Sequence, residues 1–356
     1  MTTLSRTETD IEQPTAPTDG AGGNGAPGRG GVGVPPRPGE AVPADLRRDR
    51  YATERIVSAR VSLRQRLIEI WRSRELLVFL VRKELKVKYK NSVLGFAWSM
   101  LNPALVLLVY YIVFTVFLPN GIPHFALFLF SGLLGWNLFN TSVMGSAGVV
   151  VNNAGIIKKV SFPREILPLS QVGTACIFFL FQAAVLILFF VGFHYAPSWE
   201  YLPLIPLALV TLVVVASAFA VFLSAVNVYL RDTQHLIEVV LQAWFWGAPI
   251  VYSFQFVYNK FQRHTLFGIP GTHLTWLYLA DPVAPVILTI ERALYGFHLY
   301  VPPHSAAGTA PTSVLAPFPY MWYVEILLIV LAVGILLFLG AMALFGRIEG
   351  NFAEEL

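Results

Sequence analysis

Five cations fall between residues 82 and 90, Arg82, Lys83, Lys86, Lys88 and Lys90, beside Leu77, Leu80, Val81 and Leu85. Cations beside an apolar stripe suit phosphate, whether in the anionic headgroups of bulk lipid or on one particular lipid. A second basic group, Lys158, Lys159 and Arg164, brackets Phe162 and Pro163. That pattern is a short basic loop with an aromatic anchor, ending at a helix boundary. Other chemistries lack their residues. There is no GxxxxGK[ST] loop for ATP hydrolysis, and the seven histidines are dispersed without an HExxH pair, so neither a metal nor another cofactor is expected in this chain. The one cysteine, Cys176, excludes a disulfide within the chain and a CxxC pair. Asp281 and Glu291 with Arg292 are the nearest approach to a paired-carboxylate enzyme site, and they are isolated from one another. No catalytic residue is expected.

These side chains sit in a chain of 356 residues that is 56% hydrophobic and 13% charged, too apolar for a soluble domain. The formal charge of +4 is concentrated just before the first apolar run, which points to a membrane surface and not to nucleic acid. Residues 1–50 are rich in Pro, Gly, Ala and Thr and read as a disordered tail; they show no apolar core with a cleavage site, so no secretory signal peptide is expected. Residues 51–95 turn amphipathic: Leu63, Leu67, Ile70 and Trp71 share one helical face, with Arg64, Arg66, Arg72 and Arg74 elsewhere. This segment is expected to lie along the cytoplasmic interface.

Between Asn91 and Ile157 there is no Asp, Glu, Lys or Arg, and the break at Pro119 to Pro123 divides the stretch in two. The expected spans are 96–118, 125–150, 166–192, 202–226, 235–252 and 321–345, within a transmembrane domain of 96–346 and before a cytoplasmic tail of 347–356. Lys and Arg retained on the cytoplasmic side put the loops at Lys158 and Arg231 inside, with both termini. The turns at Asn120 and Glu200 then fall outside, as does 253–320, whose run from Val283 to Leu294 is too short to cross alone. The expected fold is an all-α polytopic membrane protein with about six transmembrane helices. It has an N-terminal cytoplasmic interfacial helix and short outer-leaflet helices between spans five and six. Gln171, Thr174 and Gln182 share a face of span three and suit interhelical hydrogen bonding, while Ala216, Ala220 and Ser224 make a small-residue seam in span four.

Four ordered strings carry a family resemblance: Leu80 to Gly95 running on to Trp98 and Asn102-Pro103; Asn152 to Pro168; Asn227 to Tyr252; and Ala280 to Pro285 leading to Glu291-Arg292. Together they resemble the ABC-2 type permease subunits that export polysaccharides of the O-antigen, teichoic acid and cell-wall galactan kinds. The resemblance implies a bacterial cytoplasmic-membrane subunit that moves a polyprenyl-pyrophosphate-linked glycan. It implies a homodimer bound to two copies of a separate ABC ATPase, which holds the ATP and Mg. By the same resemblance Ile157, Lys158, Lys159, Phe162, Pro163, Arg164 and Glu165 form the ATPase-coupling segment. Arg82, Lys83, Lys86, Lys88 and Lys90 then meet the lipid pyrophosphate or bulk anionic lipid, and Asp281, Pro282, Glu291 and Arg292 belong to an external gate, where the family more usually has Asn-Pro in place of Asp281-Pro282. Trp98, Tyr110 and Trp244 are the aromatics expected along a sugar conduit. The alternative within the family is a permease for a smaller lipid or drug-like amphiphile.

Overall fold

The computed structural model describes residues 62–90, 97–118, 121–263, 270–301 and 311–355; the expected tail at 1–50 lies outside them. The N-terminal flank forms two helices, α1 (Leu63–Arg72) and α2 (Arg74–Tyr89). The Ser62 hydroxyl caps α1 by accepting from the Gln65 amide at 3.3 Å. Ser73 ends α1, its amide donating back to Glu69 and Ile70, so the amphipathic segment is broken into two rods.

The first span, α3 (Ala97–Ile112), contains Pro103, which leaves one carbonyl of its first turn without a helical donor. It continues as a wider turn at Val113–Phe117, closed by the Leu118 amide on the Val113 carbonyl at 2.7 Å. His124, in the left-handed region at φ 46°, redirects the chain into α4 (Phe125–Ala147). Two single turns follow, α5 (Val149–Asn152) and α6 (Ala154–Ile157), then the long helices α7 (Ile166–Gly192) and α8 (Ile205–Tyr229). The remaining helices are α9 (Thr233–Gly247), α10 (Phe254–Arg263), α11 (Gly271–Leu279), α12 (Ala284–Leu294), α13 (Tyr320–Ile348) and the short α14 (Phe352–Glu355). One departure from an all-helical chain is a two-residue ladder in which β1 (Leu299–Tyr300) pairs antiparallel with β2 (Thr312–Ser313).

Contacts sort the helix ends into two groups. At one end the Tyr229 hydroxyl donates to the Ile348 carbonyl at 3.0 Å, and Arg66 reaches Glu165 and Glu349. This basic end therefore collects α1, the loop before α7, and the C-termini of α8 and α13. At the other end the Tyr295 hydroxyl donates to the Pro123 carbonyl at 2.7 Å, the Tyr195 hydroxyl donates to the Tyr295 carbonyl, and Tyr201 lies against Tyr320 and Tyr323. This tyrosine end collects the start of α4, the turn between α7 and α8, and the start of α13. Since α8 finishes at the basic end and α13 begins at the tyrosine end, residues 230–319 make one net crossing.

Among the described residues, five helical stretches are long and apolar enough to span alone, and a sixth candidate joins residues 273–279 and 284–294 across an 83° bend. At the expected fifth span the structure has α9, only 15 residues and about 22 Å long. It reaches half depth, where Trp244 meets Trp136 and Phe139 of α4. The chain continues to Ser253, whose hydroxyl donates to the Val314 carbonyl beside the ladder at the tyrosine end. The crossing thus runs through α9 and 248–253. The bent pair dips instead: Asp281 at its bend meets Trp244, and Tyr295 just past α12 is back at the tyrosine end. It is a re-entrant hairpin.

Helix α4 is the hub, packed on α7, α8 and α12. Its glycines permit that approach: a Cβ on Gly132 would lie 2.6 Å from Glu291 Oε1 and 3.4 Å from the Ile250 Cα. Several buried hydroxyls are satisfied within their own helices, as when Ser131, Ser142 and Thr211 donate to the carbonyls of Leu127, Leu138 and Leu207, while Ser146 of α4 donates to the Pro168 carbonyl of α7 at 3.1 Å.

Candidate functional site

At the basic end the loop joining α6 to α7 is fastened from both ends of the sequence. Arg66 donates from Nη1 to Glu165 Oε1 and from Nη2 to Glu349 Oε1, each at 2.6 Å. Arg164 adds a bond at 2.6 Å to the Glu349 carbonyl. Glu165 is 1% exposed, and this burial pushes its carboxyl above the usual carboxylate range, an effect that its own backbone amide and Arg66 only partly offset. The same geometry holds the Arg66 guanidinium above its ordinary range, through Glu349 first, partly offset by burial, and Glu165 next. Around these groups lies an open cleft of about 610 Å³, walled by α1, Ser161 to Glu165 and the segment after α13.

The seven residues expected to couple to an ATPase divide by exposure. Ile157 and Glu165 are buried, Phe162, Pro163 and Arg164 are half-buried, and Lys158 and Lys159 are exposed. The Phe162 ring packs on a core cluster containing Ile166, Leu167 and Phe352. The apolar groups that face outward are Ile156 and Val160, the latter 56% exposed. Neither was singled out in the sequence, where an apolar residue next to lysines looks like any other; only the closure of α6 turns them outward.

The basic stretch of α2 also divides. Arg82, Lys86, Lys88 and Lys90 are exposed, whereas Lys83 leans back on the protein, its Nζ 3.4 Å from Asn153 Oδ1 and 3.7 Å from Glu84 Oε1. Lys88 turns toward the helices, its Nζ 4.0 Å from the Phe178 ring centroid, where desolvation lowers its pKa.

The three expected conduit aromatics are not brought together. Tyr110 stacks on Phe114, Trp98 is 47% exposed on α3, and Trp244 lies among Trp136, Phe139 and Phe219. The gate residues lie in or beside the re-entrant hairpin. Asp281 accepts from Trp244 Nε1 at 3.0 Å and from the Val283 amide at 2.9 Å, which anchors the bend. Glu291 is fully buried against Gly132, without a hydrogen-bond partner for either carboxylate oxygen among the described residues. Arg292, its neighbour in sequence, points elsewhere, over the rings of Tyr201 and Phe297. In α7, Gln182 accepts from Asn137 of α4 at 2.9 Å, the interhelical bond its position suggests, while Thr174 bonds its own helix at Ser170.

The ABC-2 type transporter family matches residues 75–275, from α2 into α11. The chain is 34% identical over 201 residues to the O-antigen export system permease protein RfbA of Myxococcus xanthus, covering 56% of this chain and 77% of that one. It is 33% identical over 215 residues to the O-antigen export system permease protein RfbA of Klebsiella pneumoniae, covering 60% and 78% respectively.

Proposed function

Because the chain belongs to the ABC-2 type transporter family, we propose that it is the membrane-spanning subunit of an ATP-driven exporter of a polyprenyl-pyrophosphate-linked polysaccharide. The reading is carried by the relatives named as O-antigen export permeases, which it matches over more than three-quarters of their length. In this reading the subunit acts as a homodimer in a bacterial cytoplasmic membrane. Two copies of a separate ABC ATPase supply ATP hydrolysis, since this chain has no phosphate loop. The basic end faces the cytoplasm by the rule that Lys and Arg stay inside, and the tyrosine end faces out.

The chemistry follows from the two ends. A loop held by Arg66 to both α1 and the C-terminus transmits a push as a rigid body, and its exposed Ile156, Lys158, Lys159 and Val160 form the contact surface. The cations Arg82 and Lys86 of α2 and Lys90 just past its end receive the pyrophosphate at the inner leaflet. The re-entrant hairpin closes the outer end.

Depletion of the protein tests the cargo. Long lipid-pyrophosphate glycan should accumulate while surface polymer falls, measured by mass spectrometry of extracted lipids; unchanged glycan lipids would reject the cargo class and favour a smaller lipid or drug-like amphiphile. Docking has its own test. Val160→Asp should weaken ATPase association without loss of folded protein, whereas Phe162→Ala should lower both association and stability, because its ring is partly packed inside. Orientation is tested by cysteine labelling in a chain lacking Cys176: a cysteine at Lys158 should be shielded from an impermeant external reagent and one at Gln262 should react.

A further inference from the structure

Between α3, α4 and α7 lies a cleft of about 450 Å³ whose lining is unlike the rest of the apolar spans. Carboxamides converge on it from all three helices, Asn102, Asn137, Asn140 and Gln182, with the Thr141 hydroxyl beside them. Asn137 and Gln182 bond to each other, but among the described residues no hydrogen bond engages the side chains of Asn102, Asn140 or Thr141. Unpaired amide and hydroxyl groups are costly at membrane depth unless something hydrogen-bonds them. A seam meant only to join helices would pair its amides, as Asn137 and Gln182 do.

The rest of the lining says what suits the cleft. Carboxamides offer donors and acceptors together, matching a hydroxyl, which is both. Trp98, Phe130 and Phe178 add flat apolar faces, and Lys88 brings a cation to the rim, poised over Phe178. Amides, an aromatic platform and one cation are jointly complementary to a sugar next to a phosphate. The volume is within the usual range for a small-ligand site.

We infer that this cleft is a headgroup site that reads the first sugar and adjoining phosphate of a glycosylated lipid, with Asn102, Asn140 and Thr141 binding hydroxyls and Lys88 the phosphate. This deepens the exporter reading and rests on it, because it makes the lipid-proximal sugar, and not the cations of α2 alone, the feature by which cargo is told from bulk lipid. The same chemistry fits a membrane-resident lipid such as phosphatidylinositol, so the test carries both.

The permease–ATPase complex in lipid nanodiscs is titrated with three probes: a short prenyl diphosphate bearing one N-acetylhexosamine, the same prenyl diphosphate without sugar, and phosphatidylinositol. Binding is followed by native mass spectrometry. Asn102→Leu and Asn140→Leu should each weaken the glycosylated probe roughly tenfold, the effect of one lost and unreplaced hydrogen bond, and leave the sugar-free probe unchanged. Lys88→Gln should weaken both prenyl probes alike. Thr141→Val, nearly isosteric, keeps the test open if a leucine variant fails to assemble, and should show the same sugar dependence. Wild-type affinity for the glycosylated probe in the Asn and Thr variants, or equal loss for both prenyl probes, overturns the site. Amide-dependent binding of phosphatidylinositol alone supports the headgroup chemistry and assigns it to leaflet lipid, overturning only the cargo assignment. The depletion experiment is independent: failure there overturns export of glycan, while failure here with glycan accumulation intact overturns only the cleft.

Discussion

Helices α3 and α4 are consecutive spans with opposite fates: α3 is the more apolar and is almost wholly uncovered, whereas 17 of the 23 residues of α4 are buried. In water the greasier helix would be the inner one. In a bilayer the lipid tails are as apolar as leucine, so burial is decided by close packing and hydrogen bonding. Helix α4 has Gly132, Gly135, Ser131, Ser142 and Asn137 for this, while α3 presents Leu105, Leu108, Val109 and Ile112 outward. The difference teaches that polarity and smallness, not apolar content, mark the core of this protein.

The strongest test of that contrast is Gly132→Val. The added side chain meets Glu291 and the Ile250 backbone, and should cost about 3 kcal/mol, read as a large fall in thermal stability in detergent. A tolerated valine would mean α4 is not held by close approach. Arg66→Ala extends the comparison beyond the hydrocarbon, where charge takes over from packing. It leaves Glu165 buried without its partner, and should destabilise by about 3 kcal/mol and loosen the α6–α7 loop to proteolysis, with Glu165→Gln much milder. That cluster also titrates. Burial raises the Glu165 pKa in the folded protein, so its contribution is full below the ordinary carboxylate value and is lost as pH rises through the raised one. Stability of the wild type should therefore fall over that window, and Glu165→Gln should flatten the profile; a wild-type curve rising there would reverse the sign. A smaller effect is expected for Asn137→Leu, which removes the bond to Gln182 and should cost about 1 kcal/mol. Smallest is Leu108→Ala on the uncovered face of α3, within about 0.5 kcal/mol for the isolated subunit. A larger cost appearing only in the assembled complex would identify that face as a contact with a partner chain.

Much of the architecture is legible in the chain because its cause is local. The charge-free stretch from Asn91 to Ile157, broken at Pro119 to Pro123, becomes α3 and α4. The basic loops at Lys158 and Arg231 fall at one end of the bundle with α1 and α2. The cation-framed Phe162 string marks a segment the fold fastens in place, yet only tertiary contact reveals that Phe162 and Glu165 face inward and Val160 outward. Other features depend on partners distant in sequence. Arg66 and Glu349 are 283 positions apart, and no periodicity pairs them. The short α9 and the 83° bend at Asp281 were hidden because apolar runs of 11 to 15 residues have the same composition whether they cross, dip or pack. The amide cleft was hidden for a related reason: Asn102 and Asn140 are single polar residues in separate spans until the helices close.

The fastening around Arg66 also sets an order of assembly. A ribosome delivers Arg66 first, Glu165 next and Glu349 only after α13, and the clamp needs all three. A nascent or truncated polypeptide can insert its first helices, but its α6–α7 loop has no C-terminal anchor until the final span is threaded. The loop therefore takes its fastened form only after α13 has been made and inserted.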